Sequence, residues 1–151
     1  MSKKSQFEPR KRARRRALQG LYQWQITRQD SVEIVRQFLE EQNFENVDRD
    51  WFQMLIKGVI SQHTALDDKL KPFLDRPSSQ LDMMELLILR IAAFELIYHP
   101  EIPFPIVLDE AVDLAHRFGA EQGHSFVNAV LDKAVRQWRK DEYKDKIIVS
   151  N

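Results

Sequence analysis

The side chains of this sequence that could do chemistry on a partner are its cations and its histidines, and the cations carry the stronger pattern. Residues 1–16 hold eight basic groups, Lys3, Lys4, Arg10, Lys11, Arg12, Arg14, Arg15 and Arg16, against one acid, Glu8. That stretch has a charge of +7, and the other 135 residues, with 15 basic and 22 acidic groups, have −7. A basic arm on an acidic body is the asymmetry of a nucleic-acid contact, because cations gain affinity by releasing counterions from phosphates. A solvated tail would have the same composition, so the arrangement of the arm has to decide.

Pro9 suits a first helical turn, so the spacing predicts a helix from near Pro9 to near Thr27. At 100° per residue, Ala17, Gly20, Leu21 and Trp24 fall within about 80° of Ala13 and form the expected buried stripe. Tyr22 falls about 180° from Ala13, in line with Lys11 and Arg15. An aromatic ring among cations can stack a base of a single strand while its neighbours hold phosphates. The same ring could instead pack against another helix with its hydroxyl at the rim. Gly20, unfavourable in a helix interior, points to close helix packing.

The histidines offer less. His63, His99, His116 and His124 show no HExxH and no i, i+4 pair. His63 lies on an apolar stripe, as a core histidine would, and His99 at a helix end is explained by the helix dipole. There is no GxxxxGK[ST], GxGxxG or GxSxG, and the absence of cysteine excludes thiolate nucleophiles and thiolate metal sites. The acids Asp67–Asp68 and Asp109–Glu110–Asp113 read as solvated faces or caps. No enzyme, cofactor or metal site is expected. Arg90, set in an apolar helix, requires a carboxylate or carbonyl partner, and a structural ion pair is the expected one.

The elements that position these groups are helical almost throughout, with no clean alternation that would mark a strand. A second helix is expected over about Val32–Glu41, with Asp30 and Glu33 spaced as a capping box. A third runs from Trp51 to about Lys71, with Trp51, Leu55, Val59, Ile60, His63, Leu66 and Leu70 at the helical period. Pro72 and Pro77 break the chain. A fourth helix, about Met83–His99, opens at Asp82 and is apolar nearly all round, so it belongs at the centre. The fifth, about Ile106–Phe118, stops at Gly119 as its C′ residue, and the sixth spans about Gly123–Lys140. Phe126 lies about 100° off the apolar stripe of that last helix, at the edge of the expected core. The tail from Asp141 is expected to be loose. The reading is therefore all-α: two small helical subdomains, about residues 9–76 and 77–140, sharing one core. The longest charge-free stretch, Ala17 to Thr27, has eleven residues, well short of the ~18–20 of a membrane span. A cytoplasmic protein is expected.

Four segments together resemble a known family: ALQGLYQWQ (Ala17–Gln25), ILRIAAFEL (Ile88–Leu96), IPFPIVLDEAVDLAHRFGAE (Ile102–Glu121) and FVNAVLDK (Phe126–Lys133). In this order and spacing they are similar to the NusB family of bacterial transcription antitermination factors, from about Arg10 to Trp138. The resemblance implies two helical subdomains and a non-enzymatic adaptor. Its partners would be NusE, a ribosomal small-subunit protein, boxA-type single-stranded RNA of ribosomal transcripts, and an antitermination complex with RNA polymerase. It assigns RNA contact to Arg14, Arg15, Tyr22, Glu85 and Phe126. With the basic residues of the first helix, the candidate set is Lys11, Arg12, Arg14, Arg15, Tyr22, Glu85 and Phe126. Gln122 and Ser125 stand where relatives often carry an acid and a lysine. Two other functions compete. One is an RNA-binding domain related to those of ribosomal-RNA cytosine methyltransferases, and the other is a helical DNA binder of helix-turn-helix type.

Overall fold

The computed structural model describes residues 3–150, with side chains from Phe7 to Asp145. Seven α-helices follow one another: α1 Lys3–Thr27, α2 Ser31–Glu41, α3 Arg49–Leu70, α4 Met83–Tyr98, α5 Phe104–Phe118, α6 Gly123–Trp138 and α7 Lys140–Ser150. Two single 3-10 turns, Lys71–Phe73 and Ser78–Gln80, occupy the proline-marked break. No strand occurs among the described residues. The chain divides into two compact units, one ending at His63 and one starting at Thr64, with the boundary inside α3.

In the first unit the expected stripe is buried: Ala13, Ala17, Gly20, Leu21 and Trp24 all lie inside. Close packing accounts for Gly20, because a Cβ there would stand 2.6 Å from Ile56 Cδ1 and 3.4 Å from Ile34 Cγ2. Phe52 of α3 fills the centre, with Phe38 and Phe44 at 5.7 and 5.0 Å between ring centroids. His63 is a satisfied core-edge histidine, with Nδ1 2.7 Å from the Ile60 carbonyl and its ring edge-on to Trp24 at 4.8 Å. The buried face of α1 is wider than the stripe, since Leu18 is buried too. The helix also begins earlier than Pro9. Proline removes one backbone donor but holds a helical φ, and the Pro9 carbonyl accepts from the Asp48 N–H at 3.1 Å. Asp30 caps α2 by accepting from Val32 N at 2.8 Å. The reciprocal half of the expected capping box does not form, because Glu33 pairs with Arg36 one turn on.

In the second unit α4 is the core helix, buried on every side from Glu85 to Leu96 and packed by α5 and α6. Asp82 caps it, accepting from Glu85 N at 3.2 Å. Arg90 has the carboxylate it requires: Nε and Nη2 reach the two oxygens of Asp67 at 2.8 and 2.7 Å. Phe73 of the first 3-10 turn meets Trp138 of α6 edge-on at 5.6 Å. Gly119 caps α5 with φ −86°, not in the left-handed region. The residue with positive φ is Gln122, at 70° just before α6, and Gly119 lacks a side chain because a Cβ would press to 2.6 Å on the Ala115 carbonyl. The tail, for which no helix was expected, is helical, as α7. Arg139 donates to the carbonyls of Leu96, Ile102 and His99 at 2.9, 3.0 and 3.1 Å, and Glu142 accepts from Phe104 N at 2.8 Å. These bonds tie the start of α7 to the α4–α5 connector.

Candidate nucleic-acid interface

The arginines of α1 sort by their angle about the helix. Arg10, Arg12 and Arg16 turn to the segment between α2 and α3. The Arg10 guanidinium lies 4.0 Å from the Trp51 ring centroid, with Nε 3.6 Å from the Asp48 carboxylate. Arg12 Nη1 donates to the Asn46 carbonyl at 3.2 Å, and Arg16 Nη2 donates to the Asn43 carbonyl at 3.0 Å. Arg16 also sits 5.8 Å from the Phe44 ring. A guanidinium has five N–H donors, so one bond to a carbonyl leaves the exposed Arg12 able to meet a phosphate as well.

On the opposite side Tyr22 stands 40% exposed, and Lys11 and Arg15 are half-exposed. The ring is therefore not sealed in the protein. Arg14 differs from the rest: it is 3% exposed, beside the equally buried Leu18 on a flank of the helix that the apolar stripe did not include. A guanidinium so covered is poorly placed to reach a phosphate.

Glu85 and Phe126 belong to the second unit, where α4, α6 and the loop between α5 and α6 converge. Glu85 is buried, and its carboxyl fills the place of a side chain at Gly123, where a Cβ would stand 2.9 Å from Glu85 Cδ. Burial, and next the neighbouring Asp82, push the Glu85 carboxyl above its usual range, while the charge of Arg76 and a backbone bond from Ala120 oppose that rise. Phe126 is half-buried, with the Arg76 guanidinium 4.8 Å from its ring centroid. Core-edge packing and ligand contact are thus both compatible with Phe126. Sequence reasoning passed over Arg76 and Gly123. A cation beside a proline has no helical period to betray it, but a lone glycine opening a helix was a legible sign of close approach.

Among the described residues no group of three or more His, Asp or Glu could hold a metal ion. His116 and His124 meet edge-on at 5.0 Å, and His99 Nδ1 lies 2.8 Å from Glu101. No helix of the described residues is long and apolar enough to cross a membrane.

The NusB family model matches residues 11–136, which include both the α1 face and the α4–α6 corner. The chain belongs to the NusB family. Among its relatives, the transcription antitermination protein NusB of Nitrosococcus oceani is 48% identical over 139 residues, covering 92% of this chain and 93% of the relative. The transcription antitermination protein NusB of Xanthomonas campestris pv. campestris is 46% identical over 133 residues, covering 88% of this chain and 84% of the relative. The solved structure of T. maritima NusB superimposes with a TM-score of 0.77 at 26% identity, covering 90% of this chain and 97% of that one. The all-α reading and the family resemblance of the sequence both hold.

Proposed function

We propose that this member of the NusB family is an RNA-binding adaptor in transcription antitermination of ribosomal RNA operons. It binds boxA-type single-stranded RNA together with NusE and joins an antitermination complex with RNA polymerase in the cytoplasm. The observation that carries this reading is the outward face of α1, where the exposed Tyr22 ring shares one side of the helix with Lys11 and Arg15. Bases stack on such a ring whatever their identity, and the cations hold the backbone, so a single strand suits the face better than a duplex with its bases already stacked. Arg12 and Arg15 serve phosphates in this reading, Arg14 supports the helix from its buried flank, and Glu85 and Phe126 contribute from the second unit.

The test is titration of a boxA-like single strand, with and without NusE, across a salt series. Affinity is expected to fall with salt at a log–log slope of roughly −0.7 per neutralised phosphate. Tyr22→Ala is expected to cost about 1–3 kcal/mol of affinity without loss of fold. Equal affinity of wild type and Tyr22→Ala, or tighter binding to duplex DNA at matched salt, sinks the reading.

A further inference from the structure

We infer that Arg76, stacked on Phe126, is a further RNA-binding residue that takes an unpaired base on its guanidinium plane. The inference rests on the RNA-binding reading above and extends it to a residue outside the candidate set. Arg76 lies between the two 3-10 turns, with its side chain 41% exposed and its guanidinium 4.8 Å from the Phe126 ring centroid. An arginine on an aromatic face is held by the ring quadrupole, which fixes the orientation of an otherwise flexible side chain. Its outer face then continues the aromatic surface, and nucleic-acid bases stack on guanidinium planes as they do on rings.

The surroundings argue for a base over a phosphate. Asp75 is 3.3 Å from Arg76 Nη1, and Asp82 and Glu85 lie in the same corner. The Asp75 carboxylate beside Nη1 already offsets the Arg76 charge, which weakens its pull on a phosphate. The same acceptors favour a base edge carrying an exocyclic amine, as on cytosine, adenine or guanine. The α1 face has the opposite balance, with Lys11 and Arg15 beside Tyr22. The corner is thus built for the bases of a strand and α1 for its backbone as well.

The experiment titrates a boxA-like strand onto the full chain with NusE present, comparing wild type, Arg76→Ala, Arg76→Lys and Tyr22→Ala across a salt series. Arg76→Ala is expected to weaken binding roughly five- to hundredfold, the range for losing one stacked base, with the salt slope unchanged. Arg76→Lys, which keeps the charge and loses the plane, is expected to bind as weakly as Arg76→Ala. Rescue by lysine, with a slope shallower by about 0.7 in Arg76→Ala, would mark a phosphate contact and overturn the inference. So would unchanged affinity in Arg76→Ala while Tyr22→Ala weakens binding, which would leave the RNA-binding reading standing. Failure of wild type to bind the strand removes both. Thermal unfolding of each variant separates a lost contact from a lost fold.

Discussion

In the unit that ends at His63, Arg14 is the single charged side chain buried among the described residues. In the unit that starts at Thr64, Glu85, Arg90, Glu95, Glu110 and Arg139 all are. Arg14 aside, the first unit packs its interior with rings and aliphatic groups and keeps its α1 cations at the surface or against the segment between α2 and α3. The second draws charges inward, where Arg90 closes on Asp67 and Arg139 on the carbonyls at the end of α4. A charge satisfied inside the protein holds helices in place, while one left at the surface can change partners. The contrast teaches where to look for ligand contacts: among the outward charges, on α1 and, in the second unit, at Arg76 over the Phe126 ring.

The contrast can be broken most forcefully at Arg90. Arg90→Ala strands the Asp67 carboxylate and is expected to cost about 3–5 kcal/mol of unfolding free energy, read by urea titration. A cost below about 1 kcal/mol would mean that the inward charge does not hold the second unit. On the first unit, the double variant Lys11→Gln with Arg15→Gln is expected to make the salt slope of RNA binding shallower by about 1.4, two phosphates' worth. Stability should stay within about 0.5 kcal/mol of wild type, as for surface substitutions elsewhere. A large drop in melting temperature would show that these cations are structural. Asp30→Ala, which removes the α2 cap, should lower stability by about 1 kcal/mol and leave RNA affinity unchanged.

The smallest effect is a pH dependence. Glu85 is held above its usual range in the fold, so the folded chain takes up this proton more readily than the unfolded one. Its contribution to stability therefore grows as pH falls from neutral through the raised value, and is lost as pH rises through it. In Glu85→Gln that component should vanish, flattening the stability profile between neutrality and the ordinary carboxylate range. Identical profiles for the two proteins, from urea unfolding at stepped pH, would refute it.

Much of this was legible in the sequence because it depends on periodicity. The α1 stripe, the all-round apolar α4 and the outward position of Tyr22 follow from counting 100° per residue. The partner of Arg90 followed from a rule of kind rather than place: a guanidinium in an apolar helix must find an acceptor, but the spacing did not name Asp67. What escaped depends on contacts with no period. The loop carbonyls of Asn43 and Asn46 draw Arg16 and Arg12 to one side of α1, and no pattern in residues 42–48 announces them. The burial of Leu18 and Arg14, the helical tail and the stacking of Arg76 on Phe126 are likewise set by tertiary neighbours. Gly119 ends α5 as its position after the last periodic residue predicts, but the reason is a close approach to the Ala115 carbonyl that no spacing shows.

The clasp formed by Arg139 carries a practical consequence. One side chain gathers acceptors from Leu96 in the last turn of α4 and from His99 and Ile102 of the α4–α5 connector, while Glu142 holds the first amide of α5. A protease cut just after Trp138 would thus leave the α6 helix whole yet orphan oxygens some forty positions upstream. Shortened versions of this chain intended for binding work should keep the segment through Tyr143, or the far end of the central helix will fray.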